Sequence, residues 1–398
     1  MATLGAVGDI AFHSGIRDFL QVEGMDWPFA AAQPVLDRAD ILFGNFEFPF
    51  LPPDFPQDRL DPAAALSVVP GPEGAAALRE AGFDFLNLAA NHILDAGTLG
   101  FEHTRSCLRE AGICTGGVGF SQEEARGLQV VESGGLTFGF LCYVEDGNWT
   151  LGATNPGPAY YTLETVLEDV ERHRGDVDVL VVSIHADLEF EPTPAPARIA
   201  NSRRIAAAGA RILLEHHPHV PQGIEMVDGS LIAYSLGNFV FGVHTDSYVG
   251  RHLPHSGESF VLLIDVDAGG VRSFDRVPCL IGQPPLERPR VLEGSEREQL
   301  AAYYAQLDAW LQDEAFVRET WRRRVRAMLS TYIRRAAERD VEEVLDELVG
   351  RIALVAENRS WLDEVMAMGR ERWATVGEPD PHHRPNYRFQ TRKAPADE

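Results

Sequence analysis

Short apolar runs of strand length alternate with helix-like segments over roughly the first 285 residues, and this alternation restricts the possible fold more than any other feature. Each apolar run stops at a cluster of polar, glycine or histidine residues. Strand, polar loop and helix in repeated order predict an α/β fold built from βαβ units. The predicted strands are Leu4–Val7, Ile41–Phe43, Phe85–Leu88, Phe138–Tyr143, Val177–Ile184 and Arg211–Leu214.

Two helical patterns, Glu73–Ala81 and Leu99–Ala111, each end at a glycine, as many helices do. From Leu231 to Val266 strand patterns follow one another without helices, which predicts a second sheet layer. Apolar spacing of three and four residues then predicts helices over Ser295–Met368. The predicted regions are an α/β domain over 1–285, a helical C-terminal region over 286–370 and an extended tail over 371–398.

The formal net charge of −25 restricts the partners of this chain. An acidic surface repels polyanions, so we expect neither nucleic acid nor a membrane surface as a partner. The opening residues show no signal peptide, and no apolar run approaches the roughly 18 residues of a membrane helix. Four cysteines without a CxxC pair indicate reduced, mostly buried side chains. The expected location is the cytoplasm.

Carboxylates follow the first two predicted strands. Asp9 comes directly after the first strand, where it can hold a cation or simply form a turn. Strand alternation places Asn45 and Glu47 on the face opposite to Phe46 and Phe48. Glu47 therefore offers a second oxygen donor beside Asp9, unless this face is a solvent-exposed edge.

An amide, an imidazole and a carboxylate lie within five residues after the third strand. Asn91 offers a neutral oxygen ligand, with a helix N-cap as the alternative. His92 offers an acid or base, and Asp95 lies one helical turn later, where it can orient the imidazole. His185 ends the strand Val177–Ile184, as a ligand or as a hydrogen-bonded core residue.

Three histidines occur among the four residues after Arg211–Leu214 and Glu215. His217 and His219 are two residues apart and separated by a proline, so both imidazoles can point to one side and bind a cation. This is the most specific metal-binding pattern of the chain. Carboxylate, amide and imidazole donors thus follow five strands of one predicted α/β fold.

In order, these clusters resemble the motifs of the calcineurin-like metallophosphoesterase superfamily, and more closely those of its CapA (poly-γ-glutamate capsule synthesis) family. The resemblance covers roughly residues 1–285 and is most specific at His185, at His217–Gln222 and at Tyr234–Phe239. It implies a four-layer αββα sandwich, here with a helical C-terminal appendage. The usual H-W-G-x-E sequence of the family reads His-Ala-Asp-Leu-Glu over 185–189, which predicts a weakened second metal position.

By position, the resemblance implies a metal site with His92 as the general acid. The implied metal ligands are Asp9, Glu47 as the bridging carboxylate, Asn91, His185, His217 and His219. We predict catalytic roles for His92, Asp95, Asp9 and His217. We predict substrate contacts for His13, Gln222 and Asn238.

The chain also resembles the CapA-like enzymes of lasso-peptide (RiPP) gene clusters. That resemblance implies a metal-dependent peptide epimerase that inverts a Cα, such as that of a C-terminal Trp, in a precursor peptide. A phosphoester or amide hydrolase using the same residues is the first alternative, and a non-catalytic CapA-like binding protein is the second. The cofactor is a divalent metal ion: Ca²⁺ if the histidines act as acids and bases, Mn²⁺ or Zn²⁺ if they are ligands.

Overall fold

The computed structural model describes residues 1–12, 16, 20, 22–25, 27–56, 64–145, 156–282, 287–340, 343–344 and 362–368. The strands are β1 (Ala2–Ile10), β2 (Ile41–Phe46), β3 (Phe83–Asn87), β4 (Cys114–Gly116), β5 (Val118–Gly119), β6 (Gln129–Ser133), β7 (Leu136–Val144), β8 (Gly157–Pro158), β9 (Val179–His185), β10 (Ile212–His216), β11 (Ile224–Val227), β12 (Ser230–Ala233), β13 (Asn238–Val240), β14 (Glu258–Asp267), β15 (Gly270–Ile281) and β16 (Pro289–Val291).

Helices connect many of these strands. They are α1 (Trp27–Ala30), α2 (Gln33–Leu36), α3 (Gly71–Glu80), α4 (Gly97–Glu110), α5 (Gln122–Ala125), α6 (Leu163–His173), α7 (Pro196–Ala208), α8 (Gly294–Leu311) and α9 (Glu314–Ala336). Short 3₁₀ turns cover Val249–His252 and His255–Gly257. The glycines after α3 and α4, Gly82 and Gly112, have positive φ, as the predicted helix ends require.

The strands form two large sheets. The first has the order β16-β15-β14-β1-β2-β3-β4, with β13 paired to β1, and its segment β1-β2-β3-β4 is parallel. The second has the order β11-β12-β10-β9-β7-β6, and its segment β12-β10-β9-β7 is parallel. β5 and β8 form a small antiparallel pair. The predicted α/β class is therefore confirmed.

A shared apolar core joins the two large sheets. Phe43 of β2 and Phe85 of β3 belong to the same buried cluster as Phe140 of β7. The rings of Phe85 and Phe140 stack with their centroids 4.1 Å apart. Strand alternation sends Leu42 and Phe46 of β2 to the opposite face, where they belong to a second buried cluster.

Helices cover the outer faces of both sheets. Leu78 of α3 and Phe101 of α4 share the second cluster with β2, so these helices pack on the first sheet. On the second sheet, the Tyr143 hydroxyl of β7 donates to Asp169 of α6 at 2.9 Å. Ser202 of α7 donates to Glu215 of β10. The layers are therefore helix, sheet, sheet and helix.

The sequence pattern predicts a separate sheet layer after Leu231, but the strands in this region do not form one. β12 joins the second sheet, whereas β14 pairs with β1 in the first. A pattern of consecutive strands reports antiparallel neighbours but not the sheet to which each strand belongs, because that depends on contacts with distant strands. All six predicted strand runs, in contrast, lie on or overlap strands of the structure.

The chain divides into two compact units. The first comprises Met1–Pro194 and Arg198–Gln312, and the second comprises Ala195–Ala197 and the chain from Asp313 onward. Helix α8 lies in the first unit, where Tyr304 packs on Phe260 and donates to the Ser259 carbonyl at 2.6 Å. Helix α9 lies in the second unit. The predicted domain boundary at 285 and the tail over 371–398 lie outside the described residues.

Two further predictions concern the state of the cysteines and the presence of a membrane-spanning helix. The cysteines Cys107, Cys114, Cys142 and Cys279 are all free, and all except Cys114 are buried. Burial raises the pKa of the Cys142 thiol well above its usual value, so this side chain is a neutral core residue. Among the described residues, no helix combines the length and the apolar character that crossing a membrane requires.

We predict that Phe85→Ala lowers the free energy of unfolding by about 3–5 kcal/mol, because it opens a cavity between the stacked rings of the two sheets. Urea-induced unfolding measures the change. The matched control is Phe274→Ala on β15, whose side chain is 37% exposed, with an expected loss of about 1 kcal/mol. Equal losses in both variants would contradict the role of Phe85 in joining the sheets.

Candidate metal and acid–base site

The carboxyl ends of parallel strands from both sheets converge on one site. In the first sheet, Asp9 is in register with Asn45, and Asn45 with Asn87. In the second sheet, His216 is in register with His185. Functional groups of open α/β sheets gather at such strand ends, because the loops that follow them meet there.

Asn45 links the two sheets at the centre of the site. Its amide nitrogen donates to Asp9 Oδ1 at 2.9 Å and lies 3.1 Å from Nδ1 of His185. Its oxygen accepts a hydrogen bond from Asn87 at 2.8 Å. All four side chains are fully buried or nearly so, hence this amide fixes the position of one carboxylate and one imidazole together.

Asp9, Glu47 and His219 form one group of donors whose ligand atoms lie within 4.8 Å of one another. Nδ1 of His219 lies 3.3 Å from Asp9 Oδ2, and Nε2 lies 3.6 Å from Glu47 Oε1. Burial alone would raise the pKa of Asp9, but the hydrogen bond and charge of His219 outweigh it and the pKa is lowered. Burial likewise disfavours charge on His219, yet Glu47 and Asp9 raise its pKa to about 10.

Glu47 is a buried carboxylate whose two oxygens have no hydrogen-bond partner in the described structure. Burial raises the pKa of Glu47 to about 6, against the opposing effect of His219. A buried carboxylate without donors is costly unless a positive charge is close to it. His219 supplies part of that charge, and Nε2 of His92 lies 3.9 Å from the same Oε1.

Asn91, His185 and His217 form a neighbouring group of amide and imidazole donors. His185 Nε2 lies 3.0 Å from Asn91 Oδ1 and 3.1 Å from Nδ1 of His217. Burial, followed by the charges of neighbouring imidazoles, lowers the pKa of His185 well below its usual value. A neutral imidazole is the form that binds metals. Asn91 does not cap a helix, since α4 begins later, at Gly97.

His92 and Asp95 form an imidazole–carboxylate pair at the rim of the site. Nδ1 of His92 lies 2.7 Å from Asp95 Oδ2, which also accepts a hydrogen bond from the Ala65 backbone at 2.8 Å. The side chain of His92 is 18% exposed, in contrast to the buried Glu47 beside it. Phe48 packs edge-on against the His92 ring at 5.1 Å. This contact favours the tautomer of His92 with its hydrogen on Nδ1, and Nε2 faces Glu47.

Strained backbone is concentrated in this site. In the described part of the chain, the non-glycine residues with positive φ are Asp187 (84°), Phe190 (62°), His217 (97°), His219 (56°) and Asp228 (49°). Each such conformation costs about 1–3 kcal/mol and persists where the surrounding structure enforces it. Only Asp228 lies away from the imidazoles, in the turn between β11 and β12. The strain therefore indicates loops built to hold particular side chains.

The two predicted substrate contacts that the structure describes are buried. Asn238 Oδ1 lies 2.8 Å from Nδ1 of His219, and its nitrogen donates to the carbonyls of His219 and Ser256. This geometry favours a role in fixing the tautomer of His219. Gln222 donates to the Glu191 carbonyl at 2.8 Å and so braces the loop after β9. His13 lies outside the described residues.

The structure adds four buried residues to those predicted from the sequence. In the sequence, Asn45 alternates with Phe46, and Asn87 is a single polar residue at the end of an apolar strand. His216 stacks on Phe43 with its Nδ1 3.6 Å from Asp9 Oδ1, and burial lowers its pKa to about 4. Glu189 joins His217 and His219 in a second group whose ligand atoms lie within 4.8 Å of one another.

The donor set fits a divalent metal ion. Both oxygens of Glu47 are buried without a hydrogen-bond partner in the described structure, which is the state expected of oxygens that bind a cation. Carboxylates and imidazoles together are ligands of Mn²⁺, Zn²⁺ and Fe²⁺. Of the predicted ligands, Asp9, Glu47 and His219 lie in one group. Asn91, His185 and His217 lie in the neighbouring group.

Fold and site together define an α/β protein with a buried candidate metal centre at the carboxyl ends of its strands. Residues 3–243 match the family described as "Bacterial capsule synthesis protein PGA_cap". Because this match spans more than half of the chain, the chain belongs to that family, as its resemblance to CapA had predicted.

Two similar proteins carry the CapA name. The chain is 31% identical over 248 residues to "Capsule biosynthesis protein CapA" of Bacillus anthracis, a match covering 60% of this chain and 59% of that protein. It is 27% identical over 238 residues to "PGA biosynthesis protein CapA" of Bacillus subtilis (strain 168), covering 59% of this chain and 62% of that protein. The matched region is thus less than two thirds of either relative.

A solved structure of a hypothetical protein from Thermus thermophilus is also similar. It is 14% identical, with a TM-score of 0.44, and the match covers 69% of this chain and 98% of that one. A likeness this low adds nothing to the description of the fold given above.

We predict that Glu47→Gln removes the stabilisation that a divalent metal gives to the protein. For the unchanged chain, Mn²⁺ at about 100 times its dissociation constant should raise the free energy of unfolding by about 2.7 kcal/mol. Thermal unfolding with and without Mn²⁺ measures the gain. Glu225→Gln is the matched control, since Glu225 is also buried but bonded to Arg203 at 2.9 Å. A full gain in Glu47→Gln would contradict the assignment.

We also predict that Asn238→Ala weakens Mn²⁺ binding by about 10–100-fold, because His219 loses the partner that orients its ring. Isothermal titration calorimetry on the chelator-treated protein measures the affinity. Ser202→Ala serves as a control for loss of a buried hydrogen bond elsewhere in the first unit. Unchanged affinity in Asn238→Ala would show that His219 does not depend on this amide.

Proposed function

We propose that this chain is a metal-dependent peptide epimerase that inverts one Cα of a precursor peptide of the lasso-peptide (RiPP) kind. We further propose that its layered sheets and metal residues have the calcineurin-like αββα arrangement. The His92–Asp95 pair carries the proposal. It presents an oriented imidazole at the partly exposed rim of a buried carboxylate and imidazole cluster.

The metal residues proposed from the geometry are Asp9 and Glu47 with His219, and Asn91 and His185 with His217. When bound, a divalent cation would supply positive charge that stabilises the negative charge developing on the substrate oxygen. Four of the six proposed donors are neutral imidazoles or an amide when the metal binds, which favours Mn²⁺ or Zn²⁺ over Ca²⁺.

In the proposed reaction, Nε2 of His92 accepts the proton from the substrate Cα while the proton on Nδ1 stays hydrogen-bonded to Asp95. The electron pair of the broken C–H bond moves toward the adjacent carbonyl. A solvent proton then returns to the opposite face of the Cα, and His92 releases the proton it accepted to solvent, so each inversion brings one solvent hydrogen into the product. Burial of the surrounding side chains strengthens these electrostatic effects.

Hydrolysis of an amide or phosphoester is the second candidate. The observation that favours it is the position of His92 Nε2, 3.9 Å from Glu47, where the imidazole could protonate a leaving group beside the metal. The ion pairs described for Asp9 and Glu47 are all with imidazoles, and not with the arginines that clamp phosphate groups. This favours an amide over a phosphoester.

The substrate class follows from charge. The relative from Bacillus subtilis is named for PGA biosynthesis, and poly-γ-glutamate is a polyanion. A chain of net charge −25 repels such a polymer, so a peptide of low charge is the better candidate. For the same reason we propose neither nucleic acid nor a membrane as a partner. The four free cysteines favour a reducing compartment, and we propose the cytoplasm.

We predict that peptides ending in Trp, incubated with the metal-loaded protein in D₂O, gain one deuterium at a single Cα with no change in length. His92→Gln should slow this exchange by about 10²–10⁴-fold, because the proton acceptor is lost. Asp95→Asn should slow it less, since the imidazole remains but loses its orientation. Mass spectrometry and chiral amino-acid analysis of the product measure the exchange.

The control for His92 is His173→Gln on α6. His173 has the same spacing to a carboxylate, with Nδ1 2.9 Å from Asp176, but lies outside the site. It should exchange deuterium at the unchanged rate. New amines without deuterium uptake would favour the hydrolase instead. If the unchanged, metal-loaded chain gives neither deuterium uptake nor new amines, the chain acts as a non-catalytic CapA-like binding protein.

A further inference from the structure

The loop after β9 carries a buried carboxylate, Glu189, into the site. Three hydrogen bonds tie this loop to the loop after β10 that carries His217 and His219. They are Ala186 N to His216 O at 2.9 Å, Phe190 N to Pro218 O at 2.7 Å, and Gln222 Nε2 to Glu191 O at 2.8 Å. Glu189 is therefore held at a fixed place relative to the two imidazoles.

The side chain of Glu189 points into this group. It is 3% exposed, and its carboxylate lies within 4.8 Å of the ligand atoms of both His217 and His219. The hydroxyl of Tyr248 donates a hydrogen bond to its Oε2. Phe190, the next residue, stacks on His252 with the ring centroids 3.7 Å apart and closes the loop against the protein. Glu189 has the hydrogen-bonded, oriented form typical of carboxylate ligands.

In the group of Asp9, Glu47 and His219, three protein ligand atoms lie within 4.8 Å of one another, and transition-metal centres generally take four to six ligands. His219 belongs both to the group of Asp9 and Glu47 and to the group of Glu189 and His217. Glu189 therefore lies near the imidazole that already faces Asp9 and Glu47. A further carboxylate at this imidazole supplies both a ligand and the negative charge that a divalent cation requires.

We propose that Glu189 is a metal ligand, which binds a divalent transition-metal ion together with His217 and His219. This inference rests on the proposed metal-dependent function. One carboxylate and two imidazoles are a donor set suited to Mn²⁺, Zn²⁺ or Fe²⁺, whereas Ca²⁺ prefers six to eight oxygen ligands. The chain should accordingly bind Mn²⁺ more tightly than Ca²⁺.

The test uses the full chain, stripped of metal with a chelator and titrated with Mn²⁺ in a calorimeter. Glu189→Gln keeps the shape of the side chain and removes its charge. It should weaken Mn²⁺ binding by at least about tenfold. Co²⁺ serves as a second probe, because its visible absorption changes with the ligands it binds. The Co²⁺ spectrum of Glu189→Gln should differ from that of the unchanged chain.

Glu191→Gln is the matched control, because Glu191 lies in the same loop, is equally buried at 4% exposure and belongs to neither metal group. It should bind Mn²⁺ normally. Weakened Mn²⁺ binding with an unchanged Co²⁺ spectrum would overturn the proposal, since Glu189 would then only orient an imidazole. Far-UV circular dichroism checks that each variant is folded.

Asp9→Asn separates this inference from the proposed function. If Asp9→Asn loses Mn²⁺ while Glu189→Gln binds it like the unchanged chain, the metal centre stands and the ligand role of Glu189 is wrong. If both variants bind Mn²⁺ like the unchanged chain, the metal centre itself is wrong. Loss of binding in Asp9→Asn and at least a tenfold weakening in Glu189→Gln are the expected results.

Discussion

Negative charge buried at the carboxyl ends of the strands is the constraint on which the rest of the site depends. Asp9 and Glu47 are both inaccessible to solvent, and water cannot stabilise their charge. The raised pKa of His219, about 10, shows how strongly these carboxylates attract a cation. In the absence of metal, a proton on His219 provides that positive charge. A divalent ion provides more of it, and this explains why Glu47, a carboxylate without hydrogen-bond partners in the described structure, is retained in the core.

This charge also explains why the two sheets have to pack in one particular relative position. Asp9 and Glu47 lie at the carboxyl ends of strands of the first sheet, whereas His185 ends a strand of the second sheet and His219 lies in the loop after another. Asn45 spans the junction by contacting both Asp9 and His185. The stacked rings of Phe85 and Phe140 hold the sheets together behind this junction. The apolar core and the polar site are thus two ends of the same contact between sheets.

Much of the site could be predicted because its residues stand at strand ends, where a polar side chain interrupts an apolar run. Asp9, His92 and the His217–His219 pair all carry that signal. Asn87 carries it faintly, as one amide in an apolar strand, and Glu189 stands at the glutamate of the family's H-W-G-x-E sequence, in a loop with no periodic pattern. The role of Asn87 depends on Asn45, which lies about 40 residues earlier in the chain, and the role of Glu189 depends on His217, about 30 residues later. A local pattern contains no information about such partners.

The sequence by itself determined the α/β class, the approximate positions of six strands and the polar residue types at their ends, because periodicity and strand-end residues are local properties. Only the tertiary structure decided which sheet β12 and β14 join, that Asn238 holds His219, and that Glu189 lies beside two imidazoles. These outcomes depend on contacts between segments far apart in the chain. Such contacts are selected by packing and burial of the whole unit, and these are established only when the sheets have come together.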